Sequence, residues 1–374
     1  MVTTDVPSLV SRVVLMPRIL VLSKYTKLGA SSRLRIHQYQ FHLERAGYRI
    51  EYMPLFDDEY LKSLYVSYKR RQNRYKYIHR RIFELIRISP PDVIWVEYEL
   101  FPWVPWCLEK LIIPKNIPII CDYDDAIFHH YDLHKNPIIR ILLEKKIDKI
   151  MRYSALTIAG NEYIQKRALR AGAQKTTIIP TVVDTRRYKK KSPESFSKSV
   201  NVGWIGTPVT WSAYGKEMYL NLRETLNESG ATFRAIGAKQ TDEKHDSLII
   251  KPWTEEQETE EISRFNVGIM PLTDTPWSHG KCGYKLIQYM ASGVPVIASP
   301  VGINSKIVDD GENGYCANSI EEWQQHLYTI LKHPELAFKM GQMGRAKVER
   351  EYSLEVWAPR LCKLIDSVIK NYRN

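Results

Sequence analysis

Ser278-His-Gly-Lys-Cys-Gly-Tyr-Lys-Leu-Ile-Gln-Tyr-Met-Ala-Ser-Gly-Val-Pro-Val-Ile-Ala-Ser299 reads as a glycine-bearing loop, a helix of about two turns, a tight turn and a buried strand. Leu286, Ile287, Met290 and Ala291 fall on the apolar side of the helix, and Ser292-Gly293 ends it, with glycine in its usual left-handed role. Val294-Pro-Val-Ile-Ala298 is then an apolar run suited to a parallel strand covered on both faces. Gly280 and Gly283 allow close approach to a ligand, and Lys281 and Lys285 bring positive charge to the helix start. Free N–H groups and the positive end of the helix dipole favour an anion there, so the stretch predicts a phosphate-bearing ligand.

Strand-and-helix alternation continues in both directions. Upstream, Val200–Ile205, Thr232–Ile236, Ser247–Ile250 and Val267–Met270 read as strands, with Gly206-Thr-Pro-Val-Thr210 as a tight loop. A helix is expected from about Tyr214 to Glu228, and Thr254 with Gln257 reads as a capping box for the helix running to Arg264. Downstream, Lys306–Tyr315 reads as a helix turn and a glycine-rich turn, and the remainder as helical. The first half uses the same grammar: Arg18–Ser23, Tyr48–Met53, Asp92–Glu97, Ile117–Asp122 and Ala155–Ala159 are strands. Two tandem doubly wound α/β domains follow from this order. The expected layout is a 1–17 extension, a first domain over 18–190, a linker over 191–199, a second domain over 200–355, and a terminal helix over 356–374 packing back on the first domain.

Two features of the first half call for a chemical reading. The strand ending at Asp122 runs into Asp122-Tyr-Asp-Asp125, three carboxylates that repel one another unless they serve a purpose. They read either as a helix cap with surface acids or as a grip for hydroxyls or a metal; no His or Cys cluster completes a metal site. Leu61 to Arg87 reads as a long helix, with seven Lys/Arg between Lys69 and Arg81. That run is either a solvated charged face or an amphipathic surface for anionic lipid, with Arg70, Arg71, Arg74, Arg80 and Arg81 as the contacts.

Composition bounds these readings. The 374 residues are 44% hydrophobic and 26% charged, as in a globular protein, and no apolar run approaches the roughly 18–20 residues of a membrane span. The first 17 residues make a poor signal peptide. Five scattered cysteines without CxxC spacing argue for a reducing compartment, without disulfides or zinc. The net charge of +12 is concentrated in residues 1–195, which carry 34 Lys+Arg against 20 Asp+Glu. An anionic partner for that half is implied; no nucleic-acid reading motif accompanies it, so a membrane surface is favoured over nucleic acid.

The order of parts resembles the GT-B glycosyltransferases, and within them the large retaining group called family 4. The resemblance rests on Lys285–Pro300 followed by Val308-Asp-Asp-Gly-Glu-Asn-Gly314, supported by Ile178–Asp184 and by Val202-Gly-Trp-Ile-Gly206. Asp122–Phe128, Ile158–Tyr163 and Gly280-Lys-Cys-Gly283 resemble a subgroup associated with bacterial surface polysaccharides. Such a resemblance implies metal-independent transfer, with retention of configuration, from a nucleotide-diphosphate sugar to a lipid-linked or glycan acceptor, at the cytoplasmic face of a membrane. It implies no further cofactor. The family's paired glutamates fall on Gly280 and Gln288 here, and its Arg/Lys pair has no arginine counterpart near Trp204.

On this resemblance Gly206, Thr207, Lys281, Cys282, Gly283 and Lys285 surround the diphosphate, Gln288 holds the ribose, and Trp253 flanks the nucleobase or packs in the core. Gly29, Ala30, Ser31 and Arg33 face the cleft; Arg33 and Arg35, two apart, cannot share a helix face. Asp124 and Asp125 contact sugar hydroxyls, Asn161 either caps a helix or lines the cleft, and Lys281 and Lys285 supply the catalytic charge. A non-catalytic nucleotide-sugar-binding or regulatory protein, and a sugar-nucleotide 2-epimerase, are the alternatives on the same fold.

Overall fold

The computed structural model describes residues 16–66, 73–196, 200–239 and 247–373. In the first domain six parallel strands, β1 (Arg18–Leu22), β2 (Arg49–Tyr52), β3 (Val93–Glu97), β4 (Ile119–Tyr123), β5 (Leu156–Ala159) and β6 (Thr176–Ile178), lie in the order β2-β1-β3-β4-β5-β6. In the second, β7 (Asn201–Ile205), β8 (Thr232–Ile236), β9 (Leu248–Lys251), β10 (Val267–Met270), β11 (Val296–Ala298) and β12 (Gly314–Cys316) lie in the order β12-β11-β10-β7-β8-β9. Strand order reverses beside β1 and β3 in one sheet and beside β7 and β10 in the other. Open parallel sheets bind ligands outside the carboxyl ends of their strands at such reversals. β3, β4 and β7 are buried along their whole length, as mainly apolar strands covered on both faces are, and this burial includes Glu97, Asp122 and Asn201.

Several local expectations are corrected. The long helix expected over 61–87 is two described helices, Asp58–Val66 and Arg74–Arg87; Asn73 caps the second, its Oδ1 accepting from Tyr75 N at 3.0 Å. Arg70 and Arg71 lie outside the described residues. After Pro137 the chain forms two further helices, Pro137–Leu143 and Lys146–Tyr153. Thr254 Oγ1 accepts from Gln257 N at 3.2 Å, and the helix there begins one residue later, at Glu258. Gly314–Cys316, read as part of a turn, is the edge strand β12.

Two passages of chain join the domains. Val183 N donates to Tyr352 O at 3.0 Å and Leu354 N to Val183 O at 2.9 Å, so the passages run side by side. The 191–199 segment is anchored where it is described. Lys191 Nζ donates to Ser263 O (3.0 Å) and Phe265 O (2.6 Å), and Phe196 is buried in the second domain's core. The terminal helix Leu354–Arg373 places Leu361, Ile365 and Ile369 against Ile19, Val21 and Leu43 of the first domain.

Candidate functional site

The carboxyl ends of the two sheets face each other, and the 278–285 loop crosses between them. Asn161, after β5, makes the central contact. Its Oδ1 accepts from Ile164 N at 3.0 Å, capping the Glu162–Ala171 helix. Its Nδ2 donates to Gly280 O and Lys281 O, both at 2.9 Å. One side chain thus satisfies a helix start in one domain and two loop carbonyls in the other, which leaves it little capacity for a ligand.

Glycines set how closely the domains meet. A Cβ on Gly280 would stand 2.3 Å from Ala126 Cβ and 2.7 Å from Ala126 N; one on Gly160 would stand 2.3 Å from Cys282 Sγ. Nothing larger fits at either position with the domains in this arrangement. Cys282, expected beside the diphosphate, turns its thiol to the first domain instead: the buried thiol donates to Asp124 O at 3.0 Å, and burial pushes its pKa up.

The two lysines of the loop differ in their surroundings. Lys281 Nζ is 2.9 Å and 3.1 Å from the two oxygens of Asp125. Burial opposes its charge, but the Asp125 carboxylate outweighs burial and holds the ammonium above its ordinary range. Lys285 Nζ has no carboxylate partner among the described residues; it lies 5.0 Å from the centre of the Trp204 ring. Burial, with repulsion from Lys281, brings its pKa down to about 7. It stands in the first turn of the Tyr284–Ala291 helix, whose N-cap, Gly283, is left-handed (φ 66°) and offers no side-chain cap. Uncapped N–H groups beside an unpaired cation are the arrangement that can hold an anion.

The second domain brings Gly206 and Trp253 to the same region. Gly206 follows β7, and its carbonyl oxygen lies where a Cβ on Gly237 would approach to 2.2 Å; the Trp253 Cβ lies 3.2 Å from that point. Thr207 caps the short turn that follows, its Oγ1 accepting from Thr210 N at 3.3 Å. Trp253 donates Nε1–H to Glu258 Oε2 at 2.7 Å, and Arg33 of the first domain stacks on its ring at 4.8 Å. This ring face, expected to flank a nucleobase or lie in a core, meets a guanidinium. Gln288, expected to reach a ribose, is instead buried and donates to Tyr188 Oη at 3.3 Å.

In the first domain Gly29 is the N-cap of the Ala30–Arg35 helix, and Arg35 diverges from Arg33 as the spacing requires. Arg35 is buried, with Nε 2.9 Å from Asp122 Oδ1 and Nη1 2.8 Å from Ile179 O. Asp124 accepts from the Tyr98 hydroxyl, which also lies 3.0 Å from Ser31 Oγ. Tyr98 has φ 65°, a costly conformation for an aromatic residue that aims its hydroxyl at Asp124. Glu97 beside it accepts from Lys24 N (2.9 Å) and Ser32 Oγ (2.6 Å), and burial raises its pKa to about 7. Sequence reasoning missed Glu97, Tyr98 and Lys24; a charged or polar run at the carboxyl end of buried β1 and β3 was the available signal.

Of the cations expected to meet lipid, Arg81 is buried, donating to the carbonyls of Leu100, Ser23 and Met53. Arg80 donates to Pro54 O and Leu55 O, each at 3.1 Å. Burial corrects that expectation for Arg81, whereas the Arg80 side chain stays 42% exposed while making these bonds. Among the described residues no three His, Cys, Asp or Glu side chains are grouped to hold a metal, and no helix is long and apolar enough to cross a membrane.

Comparison with known proteins agrees with this architecture. Residues 214–333 match the family model described as glycosyl transferases group 1. Trehalose synthase of Pyrococcus horikoshii is 30% identical over 87 residues, which is 23% of this chain and 21% of that protein. The chain thus spans about a fifth of the length of this curated relative. Among solved structures, sucrose-phosphate synthase from Thermosynechococcus elongatus superposes with a TM-score of 0.68 at 15% identity, over 95% of this chain and 100% of that one. Anabaena HepE in complex with UDP-glucose gives 0.65 at 15% identity, over 94% and 99%. S. aureus TarM in complex with Fondaparinux, alpha-GlcNAc-glycerol and UDP gives 0.56 at 15% identity, over 81% and 59%. The chain has the two-domain GT-B fold.

Proposed function

We propose that this chain is a glycosyltransferase that moves a sugar from a nucleotide-diphosphate donor to a lipid-linked or glycan acceptor, with retention of configuration and without a required metal. One observation carries the reading: Lys285, unpaired with any described carboxylate, stands at the uncapped N-terminus of the Tyr284–Ala291 helix, inside the cleft. A leaving diphosphate develops negative charge as the glycosidic bond breaks, and preorganised N–H groups and a cation stabilise it. Lys285 and the helix start supply those, with Gly206 and Thr207 beside them. The donor classes of the compared proteins, UDP and UDP-glucose in HepE, support a sugar nucleotide as the ligand.

Lys281 has a positioning part on this reading. Its pair with Asp125 joins the loop to the first domain, and Asp124, held by Tyr98, faces the acceptor side. The resemblance to surface-polysaccharide enzymes and the basic first half favour an acceptor presented at the cytoplasmic face of a membrane. Transfer of labelled sugar from a panel of UDP-, GDP-, ADP- and dTDP-sugars into a lipid-extractable product, in EDTA, tests this. Transfer that survives EDTA is the predicted result; transfer that requires added metal contradicts the metal-independent step.

A second reading, a non-catalytic nucleotide-sugar-binding protein, is favoured by Gly280, where Ala126 fills the space a glutamate side chain would occupy. Tight donor binding without transfer or hydrolysis across the same panel would select it.

A further inference from the structure

The helix Pro137–Leu143 turns Ile139 and Leu143 inward and leaves Ile138, Ile141 and Leu142 at 64%, 78% and 64% exposure. A short helix apolar on its outer side as well as its inner one needs cover. On the nearby Trp106–Ile112 helix, Leu111 is 81% exposed. Exposed Trp103 joins the two regions: its ring packs edge-on against Tyr131 (5.2 Å) and His134 (5.6 Å), and Arg140 donates to His134 O at 2.6 Å.

The platform beneath is rigid. Lys146, on the next helix, is buried in an ion pair with Glu109 (2.9 Å) and a second with Glu99, and donates to Phe101 O at 2.6 Å. These bonds tie the Trp106–Ile112 helix, the 99–101 turn and the Lys146–Tyr153 helix together. Charge around the apolar residues has one prevailing sign. Lys110, Lys115, Lys135, Lys145 and Lys149 are exposed and pair with no carboxylate among the described residues. Asp132 and Asp148 are taken up by Arg167, and Glu109 by Lys146, which leaves Glu144 as the exposed acid of this stretch.

We propose that this face docks on an anionic bilayer, with Trp103, Leu111, Ile138, Ile141 and Leu142 entering the headgroup boundary and the lysines meeting lipid phosphates. A protein partner would require acids matched to each lysine, whereas a bilayer satisfies scattered lysines around an apolar centre without register. The face also leads to the cleft. The segment that begins at Asp125 passes through His130, stacked on Trp277 of the second domain at 4.6 Å, and reaches Ile138 within the next turn of helix. For its purpose the surface rests on the reading above, in which the acceptor is presented at a membrane.

The test is co-sedimentation of the full chain with phosphatidylcholine vesicles and with vesicles of equal parts phosphatidylglycerol and phosphatidylcholine. Binding to the anionic vesicles is expected, and Ile141→Asp with Leu142→Asp lowers the partition coefficient at least about tenfold. Trp103→Phe removes a share of the tryptophan fluorescence quenched by brominated acyl chains, a readout independent of the aspartate variants. Thermal shift by sugar nucleotides stays unchanged in all variants, so failure of the docking surface and failure of the donor site are distinguishable. Undiminished vesicle binding by the double aspartate variant overturns the proposal. So does wild-type dimerisation abolished by the same substitutions without vesicle binding, which would make a second copy the occupant.

Discussion

Lys285 and Gly280 are where single side chains decide what the cleft can do. With its pKa brought down to about 7, Lys285 is charged below that pH and neutral above it. A diphosphate needs the charged form, so affinity is predicted to be highest below about pH 7 and to fall by up to about tenfold per unit above it. Lys285→Arg, charged at every accessible pH, flattens the profile; calorimetric titration across pH checks both outcomes. Gly280→Glu would restore the carboxylate that the family resemblance places there. Contact with Ala126 predicts the opposite of a gain: transfer falls about tenfold or more, and Ala126→Gly in the same chain recovers part of it. Arg35 and Asp122 illustrate a structural pair instead. Asp122→Asn leaves a buried guanidinium short of its counter-charge and costs about 3–5 kcal/mol, read by urea denaturation.

At the scale of elements, legibility followed the length and apolarity of each run. β3, β4, β7 and β10 were readable because buried parallel strands are mainly apolar stretches. β12 was not, since three residues, Gly314–Cys316, are too few to show a period. Asn161 was readable as a helix cap because capping is local. Its bonds to Gly280 and Lys281 join residues more than a hundred positions apart, which no local pattern encodes. The basic run misled for a related reason: nothing in a row of Lys and Arg marks that Arg81 turns inward to three carbonyls. The parity of Arg33 and Arg35 did separate them, one to Trp253 and one to Asp122. The Leu354–Arg373 helix completes a core of the first domain across the molecule. Truncation before Leu354 is predicted to destabilise that domain by several kcal/mol, visible as an early phase in thermal unfolding.

For the molecule as a whole, the two domains meet across the cleft through Asn161, the Lys281–Asp125 pair and the Arg33–Trp253 stack, beside paired crossings at Val183 and Ser353. Arg345 steadies the crossings, donating to Tyr188 O at 2.9 Å and Thr185 O at 3.1 Å. Asn161→Ala removes two of the bonds that hold the 278–285 loop to the first domain and leaves the Lys281–Asp125 pair and the Cys282 thiol to hold it, so the free protein should open more often and show a modestly larger radius of gyration in small-angle scattering. The central claim is that this interdomain cleft grips a diphosphate through Lys285. Its most direct test is calorimetric titration of wild type and Lys285→Ala with UDP, GDP, ADP and dTDP, each paired with its nucleoside. At least one diphosphate is predicted to bind, and Lys285→Ala to weaken it about tenfold or more with little change for the matching nucleoside. Equal losses for diphosphate and nucleoside, or no binding of any diphosphate, would contradict the account.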